Sequence, residues 1–180
     1  MARILLQRVV RLKDLHRAVD SAFGKQGYIQ MGSFIIKYKA NEDYVIGVHD
    51  QAVGAPIVLR KRHAALRYIV WDIDLDAGSI RLHASDRLAL APSGNAIREA
   101  RLYLQFYDAA NPNQQWEFGE NPGPIYSLVN RNLCIDNNNS RQQEGNPIWL
   151  YPENGTVAQK WQHVPLSSLR ATDLEVEVAG

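Results

Sequence analysis

The sequence predicts an all-β fold, a closed barrel with pseudo-three-fold symmetry, preceded by an N-terminal amphipathic α-helix. Three of the four tryptophans, Trp71, Trp116 and Trp161, follow one another at intervals of 45 residues. From residue 29 onward, short runs rich in Val, Ile, Leu and Tyr alternate with Gly, Pro, Asn and Asp, which is typical of short strands joined by turns. A fixed period of this length indicates a repeat architecture, and three copies of about four strands close into a barrel with few exposed sheet edges.

The first element along the chain is a helix predicted over residues 3–23. Its apolar residues recur at helical spacing and form one face, and Gly24 follows as a stop signal. We expect this face to pack on the barrel or on a second copy of itself, which would give a homodimer through the helix. The alternative is a basic amphipathic helix on a membrane surface, which Asp14 and Asp20 disfavour because they dilute the positive charge. Residues 1–28 are therefore predicted to form a helical extension.

The barrel is predicted over residues 29–165, with a strand for each compact apolar run. In chain order these runs are residues 34–38, 44–46, 57–59, 68–71, 88–90 and 126–129. A further strand-like segment precedes each repeat tryptophan, and Gln114 and Gln159 accompany the second and third tryptophans. Residues 166–180 are thin in large apolar side chains and slightly acidic, so we interpret them as a tail or a terminal strand.

Composition and charge exclude several classes of protein. The formal net charge is +1, but residues 1–28 carry six Lys/Arg against two Asp, which leaves the barrel slightly acidic and argues against a nucleic-acid-binding surface there. No stretch approaches the roughly twenty apolar residues that span a bilayer. The single cysteine, Cys134, excludes an internal disulfide. Because the start lacks the pattern of a cleavable signal peptide, we expect a soluble protein that is cytoplasmic or exported by a route without such a signal.

Patterns for catalysis and for cofactor binding are lacking in the sequence. The five histidines show no paired spacing of the zinc-binding kind. Neither a Gly-rich phosphate loop nor a nucleophile elbow is present, and nothing singles out a pair of acids for glycoside hydrolysis. We therefore expect no cofactor, no metal and no enzymatic activity.

The third repeat carries the most specific pattern of the chain. Residues 133–136, Leu-Cys-Ile-Asp, are followed by Trp-Leu-Tyr at 149–151 and by Gln-Lys-Trp at 159–161. In order and spacing this pattern resembles the ricin-B family of β-trefoil lectins, whose repeats end in Gln-x-Trp. The second repeat, residues 76–120, keeps the glutamine and the tryptophan of that ending, and the first, residues 33–75, keeps only the tryptophan. The resemblance implies a β-trefoil fold and a carbohydrate-binding function.

In that family a sugar site combines a carboxylate early in the repeat with an aromatic ring about fifteen residues later. The combination is physically sensible because a sugar has one apolar face and a rim of hydroxyls. In the third repeat Asp136 and Tyr151 stand at these positions. In the second repeat Ala91 replaces the carboxylate while Phe106 stands at the aromatic position. In the first repeat the two positions fall at Ile46 or Gly47 and at Arg60 or Lys61.

One working site is therefore expected, in the third repeat, and its expected ligand is a galactose-type glycan. The resemblance implies Asp136 and Tyr151 as site residues, and the other candidates are Asn139, Trp149, Asn154 and Gln159. Trp149 could extend the stacking surface or only fill space, and Asn139 or Asn154 could replace the asparagine that many family members carry before the repeat glutamine. The residue before the repeat glutamine, an asparagine in many family members, is Ala158 here.

Each of these residues also has a purely structural interpretation. Asp136 could cap a turn in an Asn-rich segment, and Tyr151 could pack on the flank of the barrel. Gln114 and Gln159 are expected to hydrogen-bond to the backbone inside the barrel, and Cys134 to be a small buried residue. The alternative function is a β-trefoil protein-interaction scaffold that has lost its sugar sites, since fold alone does not fix function.

Overall fold

The computed structural model describes residues 31–169 of the 180-residue chain. This range holds twelve β-strands: β1 Met31–Tyr38, β2 Tyr44–Val48, β3 Ile57–Lys61, β4 Val70–Asp74, β5 Ser79–Leu82, β6 Ser85–Pro92, β7 Leu102–Phe106, β8 Trp116–Phe118, β9 Ile125–Ser127, β10 Asn130–Asn137, β11 Ile148–Pro152 and β12 Trp161–Pro165. The 3₁₀ turns of the same range are Leu66–Tyr68, Pro112–Gln114, Asn138–Ser140, Val157–Gln159 and Leu166–Ser168. The predicted helix over 3–23, the homodimer through it and most of the 166–180 tail lie outside the described residues.

The strands fall into three sets of four, β1–β4, β5–β8 and β9–β12, which correspond to the three repeats. The pairings in the two sheets are antiparallel, with the order β3-β2-β1-β4-β5-β6-β7 in one and β11-β10-β9-β8 in the other. β12 pairs with β1, from Phe34 opposite Pro165 to Tyr38 opposite Trp161, and so joins the third repeat back to the first. The all-β, three-repeat prediction is confirmed. Over residues 31–169, no helix has the length and apolar character needed to cross a membrane.

The predicted strands agree with the observed ones except at two turns. The runs at 34–38, 44–46, 57–59 and 88–90 lie within β1, β2, β3 and β6. The run at 68–71 starts in a 3₁₀ turn, so that β4 begins only at Val70. The run at 126–129 continues past the end of β9 into the turn before β10, where Val129 is 48% exposed. Apolar content alone therefore extends these strands into neighbouring turns.

The three repeat tryptophans form one layer of the barrel core. Trp71, Trp116 and Trp161 are almost completely buried, and each indole Nε1 donates to a backbone carbonyl in the second strand of its own repeat. The acceptors are Ile46 O at 3.0 Å, Leu90 O at 3.2 Å and Ile135 O at 2.9 Å, in chain order. Because a buried N–H without a partner is costly, the same bond made three times explains why tryptophan recurs at this position.

The second and third strands of each repeat form its central hairpin, and the third strand is hydrogen-bonded to the hairpin loop of another repeat. In the second and third repeats, the backbone N–H groups of Leu104 and Leu150 donate to Ala55 O and Ala100 O. In the first repeat the equivalent bond runs from Leu59 to the third repeat, at Asn146 O. Every hairpin therefore has a loop of another repeat lying beside it.

The repeat glutamines have the predicted backbone role. Gln159 Oε1 accepts from Asn154 N at 2.9 Å, and its Nε2 donates to Pro152 O at 2.9 Å. Gln114 makes the same two bonds in the second repeat, from Asp108 N at 2.9 Å and to Phe106 O at 2.8 Å. Both side chains are buried, and each brackets the loop that follows the third strand of its repeat.

The buried position expected for Cys134 is also confirmed. It lies in β10 with no exposed surface, and burial raises the pKa of its thiol to about 12. Its thiol is therefore neutral at physiological pH, which makes it a small packing group instead of a nucleophile.

Candidate functional site

A cavity of about 300 Å³ opens on the surface of the third repeat. Its lining residues are Glu99, Asp136, Asn139, Ser140, Trp149, Tyr151, Asn154, Thr156 and Ala158. Five of the six site residues expected from the sequence are in this set. The sixth, Gln159, lies buried behind the lining. Glu99 of the second repeat and eight residues of the third repeat therefore meet around one opening.

Asp136 supplies a nearly buried carboxylate to the wall of the cavity. It lies in β10 directly opposite Trp149 in β11, is 4% exposed, and its Oδ1 accepts a 2.7 Å hydrogen bond from Trp149 Nε1. Burial raises the pKa of this carboxyl, against the lowering effect of hydrogen bonds from Trp149 and Gln159. Asp136 is thus a strand residue bonded to side chains, which does not fit a turn cap. An ionised carboxylate has several acceptor lone pairs, so that Asp136 can accept further hydrogen bonds besides the one from Trp149.

Two aromatic rings form a continuous surface beside that carboxylate. Trp149 and Tyr151 are two residues apart in β11 and therefore project from the same face of the strand. Their rings are stacked, with centroids 5.5 Å apart and planes 18° from parallel. Because both side chains are only half-buried and line the cavity, they offer apolar area to a ligand and not only to the barrel flank.

A basic side chain from the second repeat holds the tyrosine. Arg98 Nη2 donates to the hydroxyl of Tyr151 at 2.7 Å, and the guanidinium carbon lies 4.8 Å from the centroid of the tyrosine ring. Its Nε donates to Glu99 Oε1 at 3.2 Å. Arg98 and Glu99 were not predicted from the sequence, because they precede Tyr151 by about fifty residues and no feature of the repeat pattern marks them.

The rest of the lining is polar and comes from loops. Asn139 and Ser140 follow β10 with positive φ angles of 54° and 55°. Asn154 Oδ1 accepts from Thr156 N at 3.0 Å, and the backbone of Asn154 is held by Gln159 as described above. Ser140 and Thr156 are additions to the sequence-predicted set. The cavity thus combines one carboxylate wall, one aromatic wall and a rim of amides and hydroxyls.

In the second repeat the strand register corrects the position expected for the aromatic. Ala91 pairs with Tyr103, as Asp136 pairs with Trp149, so Gln105 and not Phe106 stands where Tyr151 stands in the third repeat. The prediction of Phe106 was wrong because twelve positions separate the paired residues of this hairpin, against thirteen in the third repeat. Phe106 instead is 69% exposed at the edge of a separate, mainly apolar cavity of about 550 Å³.

In the first repeat the equivalent position is occupied by an ion pair. Gly47 pairs with Val58, which places Gly47 at the carboxylate position and Arg60 at the aromatic position. Arg60 Nε lies 2.7 Å from Glu144 Oε1, and its Nη1 donates to Val48 O at 2.7 Å. Over residues 31–169, only the third repeat therefore combines a carboxylate with an aromatic ring in this place.

A Ser–Asp–His cluster on another surface lacks the geometry of a catalytic triad. Ser33 Oγ donates to Asp72 Oδ1 at 2.7 Å, and His83 Nδ1 lies 2.9 Å from the same oxygen and 3.3 Å from Ser33 Oγ. A triad needs the acid on one ring nitrogen and the serine on the other. Here both contacts involve Nδ1. The described residues also bring no three His, Cys, Asp or Glu side chains together for a metal.

Three four-stranded repeats around a tryptophan layer, with a carboxylate and an aromatic surface in one cavity, define a β-trefoil of the lectin class. The family model for the ricin-type beta-trefoil lectin domain matches residues 33–161. The chain therefore belongs to the ricin-type β-trefoil lectin family, a family of carbohydrate-binding domains. A search of the curated proteins found no match to the sequence.

Solved structures share the fold at low sequence identity. A mosquitocidal holotoxin matches with a TM-score of 0.70 and 18% identity, over 79% of this chain and 18% of the toxin chain. The chain thus spans under a fifth of that toxin. The C-half of an earthworm R-type lectin in complex with GalNAc matches with a TM-score of 0.63 and 24% identity, over 74% of this chain and 98% of the other. A ricin B-like lectin from Macrolepiota procera in complex with lactose matches with a TM-score of 0.62 and 18% identity, over 77% and 99%.

Proposed function

We propose that the domain binds a galactose-type glycan through the cavity of the third repeat. One observation carries the proposal: the carboxylate of Asp136 and the stacked rings of Trp149 and Tyr151 line a single open cavity. The apolar C–H face of a sugar can lie on such a ring surface while its hydroxyls donate to the carboxylate. The two elements together fix the orientation of the sugar, which a ring or a carboxylate alone would not.

The choice of a galactose-type sugar is supported by the ligands of two proteins with the same fold. The earthworm lectin holds GalNAc and the Macrolepiota procera lectin holds lactose, both of which contain a galactose-type ring. The hydrogen-bonding rim of Asn139 and Asn154 supplies both donors and acceptors for the remaining hydroxyls. Because the proposed site is a single open cavity, we expect weak binding, which multivalent glycans or several copies of the domain would strengthen.

A glycan array tests the proposal directly. We expect the wild-type protein to bind galactose-terminated glycans and the double variant Asp136→Ala, Tyr151→Ala to bind none. The matched control is Phe106→Ala, which removes an exposed aromatic ring from the second repeat and should leave the binding profile unchanged. Circular dichroism must show that both variants remain folded.

The opposite outcome favours the second interpretation of the family membership. If the wild-type array is blank, the domain is better described as a protein-interaction scaffold. The apolar cavity at Phe106, where Val53 is 49% exposed, would then be the first surface to examine.

A further inference from the structure

The loop between β6 and β7, in the second repeat, contributes a carboxylate to the cavity of the third repeat. Glu99 lines this cavity although every other lining residue lies in the third repeat itself. Its backbone N–H donates to Leu150 O in β11 at 2.7 Å, which fixes the loop beside the site. The equivalent bonds in the other two repeats are Gly54 N to Leu104 O and Gly145 N to Leu59 O, both 2.8 Å. Glu99 therefore has a structural counterpart in each repeat.

At this shared position the backbone favours glycine. The φ angles are +85° for Gly54, +65° for Glu99 and +80° for Gly145, all in the left-handed region that L side chains rarely adopt. Two of the three repeats use glycine, as the backbone predicts. The second repeat carries Glu99 instead, and its side chain is 51% exposed, so that burial does not offset the backbone strain. A strained residue without a packing role indicates a functional constraint.

The surroundings of Glu99 show what that constraint can be. Arg98 bridges the carboxylate of Glu99 and the hydroxyl of Tyr151, so the second repeat holds both the acid and the ring in place. Asp136 supplies the other carboxylate of the same cavity. Asp136 and Glu99 are two acids, and Arg98 is the one basic group beside them. The cavity therefore has a net negative charge and hydrogen-bond acceptors that remain free for a ligand.

We propose that Glu99 is a specificity-determining residue of the third-repeat site, one that accepts a hydrogen bond from a hydroxyl of a neutral galactoside and disfavours anionic glycans. This inference rests on the proposed function. A hydroxyl of a neutral sugar can donate a hydrogen bond to the carboxylate of Glu99, which stabilises the complex. A carboxylate or sulfate on the ligand is repelled by the same negative charge, so one residue favours neutral sugars and disfavours anionic ones.

Two variants separate the side chain from the backbone strain. Glu99→Gly restores the residue of the other repeats, and calorimetric titration with lactose should show about 5-fold weaker binding, as expected for loss of one charge-assisted hydrogen bond at an exposed site. The same variant should melt roughly 2–4 °C higher, because glycine relieves the positive-φ strain. Glu99→Gln keeps the strain but removes the charge, so its melting temperature should stay unchanged while its preference for lactose over 6′-sialyllactose declines.

The possible results distinguish the two proposals. If lactose binding by the wild type is abolished in Asp136→Ala but unchanged in Glu99→Gly, the site stands and the role of Glu99 is overturned. If Glu99→Gly lowers both the melting temperature and the affinity, Glu99 has a structural role and the inference also fails. A wild-type protein that binds no lactose overturns the proposed galactoside function and this inference together.

Discussion

Asp136 is a carboxylate that the fold keeps almost out of water and yet places on the wall of an open cavity. Burial raises its pKa above the ordinary value of an aspartate, 3.8, while the hydrogen bond from Trp149 lowers it. A carboxylate that is nearly shielded from water has a desolvation cost, which hydrogen-bond donors around it can offset. Sugar hydroxyls can act as such donors, which gives the residue a chemical reason to bind them.

The raised pKa of Asp136 predicts a pH dependence of glycan binding. Binding needs the ionised acceptor, so affinity for lactose should fall on acidification, with a midpoint above the pH at which an ordinary aspartate titrates. Folding stability changes with pH in the opposite direction. Because the pKa of Asp136 is higher in the folded protein than in the unfolded chain, ionisation of this group lowers the free energy of unfolding as the pH rises through the window above 3.8. Titration calorimetry at several pH values, with circular dichroism to confirm folding at each, gives the midpoint. A midpoint at or below that of a free aspartate would contradict the prediction.

At the scale of single residues, the sequence identified only part of the site. Asp136 and Tyr151 could be predicted because both belong to one repeat and are related by a fixed spacing. Arg98 and Glu99 could not, because they reach the site from the loop of another repeat, a relation that depends on the three-fold packing. Phe106 was misplaced by one position because spacing rules assume hairpins of equal length.

At the scale of elements, the loop after β11 is organised by one side chain. Gln159 bonds Asn154 N on one side and Pro152 O on the other, and Asn154 lines the candidate cavity. In the second repeat Gln114 makes the same two backbone bonds, but the carboxylate position there is Ala91. The two glutamines therefore share a structural task, and only Gln159 also supports the site.

This difference gives a matched pair of variants. Gln114→Leu and Gln159→Leu should each destabilise the domain by about 1–3 kcal/mol, because each removes two partly buried hydrogen bonds to the backbone. Only Gln159→Leu should also weaken lactose binding, since it frees the loop that carries Asn154 at the rim of the cavity. Urea denaturation and titration calorimetry measure the two effects separately. Equal losses of affinity in both variants would show that binding follows global stability.

The strands were more predictable than the site because apolar periodicity marks them directly. β5 and β8 were not marked by any predicted run, since strands of four and three residues carry little periodicity. The turn that contains Val129 was predicted as part of a strand, because apolar content alone does not distinguish such a turn from a strand. What the sequence lacks is information on hairpin register, which hydrogen bonds and loop lengths decide.

At the scale of the whole molecule, the fold separates stability from function. The core layer is nearly the same in all three repeats, whereas the surface position above each central hairpin differs: an ion pair of Arg60 with Glu144, an apolar cavity beside Phe106, and the carboxylate–aromatic cavity. Because the three tryptophans lie in the core, the surface positions can differ between repeats while the barrel is kept. The tryptophan period predicted the three-fold barrel and the motif of the third repeat predicted the family, whereas individual side chains decide which repeat has the carboxylate–aromatic cavity.

The equivalence of the core positions leads to a prediction about folding. Trp71→Phe, Trp116→Phe and Trp161→Phe each remove one buried N–H donor, leave a backbone carbonyl unpaired and open a small void. Each should therefore destabilise the domain by a similar amount, about 2–4 kcal/mol, in a single cooperative transition. Urea denaturation followed by both fluorescence and circular dichroism tests this, with coincident curves as the criterion for cooperativity. One variant with a much smaller loss, or with two separate transitions, would show that its repeat folds apart from the others and that the three-fold layer is not a single core.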